Sequence, residues 1–122
     1  MTAGIDRTSG YYEQKLETLT PEERAAYQNA QLQEIVQHAY ANAPAIRKKF
    51  DSSRVKPGDM KTVKDLERLP ITHKHDLAKL QQSAPPFGGF LGVPMDRVKR
   101  ICMSPGPIYE PEDIQSRNDR WT

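Results

Sequence analysis

Only one cysteine, Cys102, occurs in the 122 residues, so neither a disulfide framework nor a thiolate cluster for zinc can be built. That usage agrees with a reducing compartment. There is no run of about 18 apolar residues of the kind that spans a membrane. The first twenty positions carry Asp6, Arg7, Glu13 and Lys15 where a signal peptide needs an apolar stretch. A soluble, cytoplasmic chain is the expectation. Large apolar residues are scarce as well: Leu 8, Ile 7, Val 5 and Phe 3 make 23 of 122, about 19%, close to the level below which chains stop folding unaided. Disorder also needs high net charge, and +2 is low. The composition therefore points to a thin helical layer whose apolar faces call for more surface than this chain supplies, since a domain of this length buries only about two-thirds of its unfolded area. An incomplete structural unit is expected.

Charge is spread unevenly. Residues 1–43 carry three Lys/Arg against six Asp/Glu, residues 44–79 ten against five, and residues 80–122 five against five. The middle third is basic through Arg47, Lys48, Lys49, Arg54, Lys56, Lys61 and Lys64. Aromatic rings for stacking on bases are not interleaved with these charges, which argues against a nucleic-acid binder. The band reads as a solvated helix face with short ion pairs such as Lys61 to Asp65.

Thr20-Pro21-Glu22-Glu23 is the clearest helix start: a hydroxyl N-cap, proline at the first helical position, and Glu23 placed to return a hydrogen bond. Leu32, Ile35, Val36, Ala39, Tyr40 and Ala43 then recur at three- and four-residue steps, which predicts one apolar stripe with Gln28, Asn29, Gln33, Glu34 and Gln37 facing outward. Pro44 ends or restarts the helix, and a second, shorter one is predicted through Ile46 and Phe50, with Asn42 as its cap. Val55 to Asp59 reads as a turn. Thr62 and Asp65 form another capping box, opening a short helix that ends before Pro70. Thr72 is expected to cap a third short helix carrying Leu77 and Leu80. Three regions follow: a tail over 1–19, a helical lobe over 20–82, and a proline- and glycine-rich connection over 83–122.

In that last region, six of the ten prolines and four of the seven glycines fall between positions 85 and 111, which forbids long helices and demands special turns. The alternation from Asp96 to Met103 predicts a short strand, and Ser104-Pro105-Gly106-Pro107 must turn the chain away from it. Phe87-Gly88-Gly89-Phe90 predicts a tight turn that brings two rings into one core. Trp121, one residue from the end, is expected either to have lost its continuation or to dock on another surface. His73 and His75 lie two apart, and with no third ligand in sequence reach they read as exposed histidines, not a metal pair. Cys102 has no accompanying His/Asn signature and reads as a small hydrophobe, not a nucleophile.

Taken in order, Tyr11-Tyr12, Leu32 to Tyr40, Asn42-Ala43-Pro44, Leu69-Pro70-Ile71-Thr72, Pro86-Phe87-Gly88-Gly89-Phe90, Val98-Lys99-Arg100-Ile101 and Ser104-Pro105-Gly106 resemble the amino-terminal portion of the phenylacetate–coenzyme A ligases, an AMP-forming family. The resemblance covers roughly residues 11–111. It implies a mainly α fold: an amino-terminal helical lobe plus the first strand and loop of an α/β adenylate-forming ligase, incomplete in this chain. It also implies a two-step reaction. A carboxylate attacks ATP to give an acyl-adenylate and pyrophosphate, and coenzyme A thiolate then displaces AMP. ATP, coenzyme A and Mg2+ are the cofactors it implies, and a coenzyme A phosphate is a minor alternative ligand for the basic band.

The family's phosphate loop is rich in small residues so that backbone N–H groups converge on phosphate, and its counterpart here is Ser104, Pro105, Gly106, Pro107, Ile108 and Tyr109, running on to Glu110 and Pro111. Pro105 and Pro107 each remove a donor, and Glu110 stands where the usual loop carries lysine. Neither Glu110 nor any other residue of this chain is assigned a catalytic role. The family's adenine contacts, acyl pocket and catalytic lysine lie beyond the matched region, so the resemblance implies a fragment, truncated product or split subunit that is inactive alone. Its partner would be the remainder of the ligase or a complementary subunit, and an aromatic or acyl carboxylate the substrate of the complete enzyme. Without that remainder the Leu32 to Tyr40 stripe, Phe87, Phe90 and Leu91 are expected to stay exposed. The rival expectation is a helical module that binds a protein partner through the Leu32 to Tyr40 face and performs no chemistry.

Overall fold

The structure is a computed structural model and describes residues 10–113; the expected docking of Trp121 lies outside them. A single helical turn, α1 (Gln14–Glu17), precedes the long helix α2 (Pro21–Asn42). The capping box of α2 forms as its sequence predicts. The Glu23 N–H donates to the Thr20 hydroxyl (3.2 Å) and the Thr20 N–H donates to the Glu23 carboxylate (2.9 Å), so two donors left orphaned by the helix start are satisfied. Donation from the Thr20 N–H, and secondarily from its hydroxyl, to the charged form holds the Glu23 carboxyl below its ordinary range.

Helix α3 (Pro44–Ser52) folds back on α2. Leu32 and Val36 of α2 meet Phe50 of α3, and Val55 and Met60 close the core from the following turn. Phe50 and Met60 are fully enclosed. Tyr40 packs edge-on against Phe50, with ring centres 5.6 Å apart, and its hydroxyl donates to Asp51 (2.9 Å), which raises the Tyr40 pKa by stabilising the protonated phenol. Arg47 seals the corner. Its Nε and Nη2 donate to the carbonyls of Tyr40 (3.0 Å) and Ala41 (2.6 Å), so a cation sits on the carbonyl end of α2.

Several expectations are corrected here. Ile35 is 57% exposed, because it lies off the line through Leu32, Val36, Tyr40 and Ala43 that the following chain covers. The Leu32 to Tyr40 stripe is otherwise covered by the chain itself, and Phe87 is buried while Phe90 and Leu91 are half-buried. Asn42 does not cap α3: its amide donates to the His38 carbonyl (2.9 Å), and extended Ala43 occupies the cap position, as a residue before proline should. Asn29 and Gln33 do not simply face water. Asn29 accepts from the Val63 N–H (3.0 Å) and Gln33 donates to the Lys61 carbonyl (3.3 Å), pinning the next segment to α2.

That segment, Val63–Arg68, is a 3-10 helix. Asp65 caps it by accepting from the backbone N–H groups of Thr62 (2.8 Å) and Lys61 (2.9 Å), so the expected Lys61–Asp65 ion pair is instead a backbone contact. These bonds pull the Asp65 carboxyl below its ordinary range. Lys49 donates to the Pro70 carbonyl (2.8 Å) and fixes the Leu69-Pro70-Ile71 link. Helix α4 (Lys74–Ser83) starts one residue later than Thr72 would place it, with His73 at the cap position and no side-chain cap bond.

The single strand expected before the loop is half of a hairpin. Strand β1 (Val98–Ser104) pairs antiparallel with β2 (Ile108–Asp113), in the register Ser104 to Ile108, Met103 to Tyr109 and Ile101 to Pro111. Arg97 and Asp113 pair at the open end (Nε to Oδ1, 3.1 Å), and Arg100 pairs with Glu112 (2.8 Å). β2 escaped the sequence reading because Glu110, Pro111, Glu112 and Asp113 are individually poor strand residues, carried here by cross-strand ion pairs.

Phe50→Ala should cost about 3–5 kcal/mol, read as a fall in the urea midpoint, since Phe50 is fully enclosed. Glu23 and Asp65 both have lowered folded pKa values, so their contribution is present above the unfolded values and lost as the pH falls through the folded ones. Acid titration of the urea midpoint should show that decline, and Glu23→Gln together with Asp65→Asn, which remove the titrating carboxylates that the backbone N–H groups hold, should flatten it.

Candidate functional site

Gln81 lies on α4 and is 5% exposed. Its carboxamide accepts from the Tyr109 N–H (2.9 Å) and donates to the Tyr109 carbonyl (2.8 Å), so one side chain pairs with a strand backbone as a neighbouring strand would. In an antiparallel ladder, residues opposite each other alternate between pairs that exchange both hydrogen bonds and pairs that exchange none. Tyr109 turns its backbone groups to Gln81, so Met103–Tyr109 is a pair of the second kind. Ser104–Ile108 is then of the first kind.

The Phe87 to Phe90 turn packs between α4 and α3. The Phe90 N–H donates to the Phe87 carbonyl (3.1 Å), and the Ala45 N–H at the start of α3 donates to the Gly89 carbonyl (2.9 Å). Gly88 and Gly89 both have positive φ (64° and 81°), the geometry that a tight turn of this hand requires. A Cβ on Gly88 would stand 3.0 Å from the Leu80 carbonyl carbon. The tight turn forms as the sequence predicts, but the two rings flank one cavity instead of sharing a closed core, Phe87 buried and Phe90 half-buried.

That cavity is an open cleft of about 330 Å³ between α4, the aromatic turn and β2. Leu77, Phe87, Phe90, Ile108 and Pro111 make it apolar, while Thr72, Gln81 and Glu110 supply polar groups. Both polar atoms of Gln81 are already engaged by Tyr109. The residues expected to form the phosphate loop border this cleft unequally. Ser104 ends β1 half-buried, Pro105, Gly106 and Pro107 form the exposed hairpin turn, Ile108 is 4% exposed inside the cleft wall, and Tyr109 is held by Gln81.

The donor set of this turn is small. The prolines have no N–H, the Tyr109 N–H goes to Gln81, and the ladder engages Ser104 and Ile108, which leaves the Gly106 N–H and the Ser104 hydroxyl for an anion. They suit one edge of a phosphate and fall short of a full cradle. Glu110 is exposed on β2 opposite Cys102. His73 and His75 stack with ring centres 5.8 Å apart, which is possible because His73 precedes the helix as its cap residue. Among the described residues no cluster of three His, Cys, Asp or Glu side chains could hold a metal ion, and no helix is long and apolar enough to cross a membrane.

Comparison with known proteins bears on this arrangement directly. No protein-family profile matches the chain. The phenylacetate–coenzyme A ligase of Escherichia coli is 37% identical over 109 residues, 87% of this chain and 24% of the enzyme. That of Thermus thermophilus is 34% identical over 109 residues, 88% and 23% of the two chains. Over the part it spans, the chain belongs to the phenylacetate–coenzyme A ligase family. It covers about a quarter of the length of these relatives.

Solved structures agree with that assignment. A 2-hydroxyisobutyryl-CoA ligase in its postadenylation state, with its acyl-adenylate bound, superposes with a TM-score of 0.74 at 31% identity, over 81% of this chain and 21% of that one. The same enzyme in its thioesterification state gives 0.75 at 26% identity, over 93% and 25%. The mostly helical chain with its two-stranded sheet is therefore part of the fold of an adenylate-forming coenzyme A ligase.

The Gln81 clamp was not singled out in the sequence, where a glutamine in the polar run Gln81-Gln82-Ser83 carries no signal of its own. Its effect is measurable. Gln81→Leu leaves the Tyr109 backbone groups without partners and should cost about 1–3 kcal/mol, with faster amide exchange at Tyr109. Gln81→Glu keeps an acceptor for the N–H but sets a carboxylate against the carbonyl at neutral pH, and should recover on acidification.

Proposed function

We propose that this chain is the amino-terminal part of an AMP-forming aryl- or acyl-coenzyme A ligase, which converts a carboxylate, ATP and coenzyme A to an acyl-coenzyme A, AMP and pyrophosphate. The observation that carries this reading is the joint match of 37% identity over 109 residues and a shared backbone with a ligase caught holding an acyl-adenylate. In this reading 20–82 is the peripheral helical lobe and 83–122 leads into the nucleotide-binding body. The turn of Ser104, Pro105, Gly106, Pro107, Ile108 and Tyr109 borders the ATP phosphates, with the Gly106 N–H and the Ser104 hydroxyl as its donors. Most of the grip on pyrophosphate, the coenzyme A site and the acyl pocket belong to the remaining three-quarters of the ligase. ATP with Mg2+ and coenzyme A are its cofactors, and the chain is inactive by itself.

Two measurements test this. Incubated with ATP, phenylacetate and coenzyme A, the chain alone should release no AMP; turnover would refute the reading. A chimera in which the chain replaces the matching quarter of the Escherichia coli ligase should release AMP in a phenylacetate-dependent way. Failure of the folded chimera to do so would favour the helical interaction module.

A further inference from the structure

The two edges of the hairpin are treated differently. On β2 the backbone of Tyr109 is covered by Gln81, and the next outward position holds Pro111, which has no N–H to expose. On β1 the alternation fixed at Met103–Tyr109 turns the N–H and carbonyl groups of Met103 and Ile101 away from β2 and toward the open edge. The side chains of the same two residues are also unburied: Ile101 is 45% exposed and Met103 69%. With Tyr109, 37% exposed, and Pro111 opposite them, they make an apolar face next to an edge that carries unused donors and acceptors. Neither residue is a proline or a lysine, the usual blocks on edge pairing.

A hairpin of two strands is marginal in water and needs a third strand or further packing. The rest of a ligase can supply it. The chain spans 24% of one relative and 21–25% of the solved ligases that share its backbone, so in those proteins this unit is continuous with about three times its own length of further polypeptide.

We infer that Ile101 and Met103 of β1 form a strand-addition site, at which a strand of the remaining ligase polypeptide pairs with the β1 backbone and covers the apolar face of Ile101 and Met103. This rests on the ligase reading above and adds to it the surface and the mode of assembly. The face at Ile35 on α2 is exposed too, but it has no free backbone edge and is excluded as the main contact.

The active chimera tests this with backbone amide exchange. The amides of Ile101 and Met103 should exchange about a hundredfold more slowly in the chimera than in the isolated 122-residue chain, while those of Arg100 and Cys102, already turned toward β2, should change little. Met103→Pro removes only an outward N–H, so the hairpin should persist, as judged by slow exchange at Cys102, yet chimera activity should fall at least about tenfold. Ile35→Lys should leave activity unchanged. Equal exchange in the two settings, or an unaffected Met103→Pro chimera, would overturn the inference and leave the ligase reading standing. An inactive parent chimera would overturn both. Concentration-dependent protection of the same two amides in the isolated chain would assign the edge to a second copy, which also overturns it.

Discussion

The pairing of the Gln81 carboxamide with both backbone groups of Tyr109 is the constraint on which the second half of the chain depends. Helices α2 and α3 have their own apolar core, but the hairpin has little to hold it except this clamp, the burial of Ile108 and the ion pairs at its open end. A buried glutamine has two donor hydrogens and an acceptor, and leaving them unmet is costly. The clamp therefore has one stable position. It sets the ladder register, and the register decides which β1 and β2 groups face inward and which face out.

That register explains why a turn so rich in proline is not a generic phosphate cradle. A cradle needs consecutive N–H groups aimed at one point. Here two positions lack the hydrogen and three more have theirs engaged by a neighbouring strand or by Gln81. Small residues survive where the backbone must bend, at Gly106, and few donors are left free around it.

The helical lobe was legible in the sequence because its signals are local. Thr20, Pro21 and Glu23 announce α2, Pro44 announces its end, and Phe87-Gly88-Gly89-Phe90 announces a turn between two rings; each uses only neighbours in the chain. What the sequence hid was long-range. Asn29 and Gln33 look like solvated surface until the segment at 61–63 arrives to use them, Ile35 looks like core until the face of α2 that the following chain covers is known, and Gln81 looks like filler until β2 lies beside it. β2 itself was missed because its stability comes from partners across the ladder and not from its own residue types. The candidate loop residues were legible as a set through resemblance, whereas their division between cleft wall, turn and clamp depended on strand pairing.

The bond from the Ala45 N–H to the Gly89 carbonyl ties the first turn of α3 to the aromatic wall of the cleft. The chain thus loops back on itself: the element that closes the helical core is the same element that props the cleft open. A cleft wall braced in this way has no separate melting event of its own, so heat or denaturant that loosens the α2–α3 corner dissolves the cavity at the same moment.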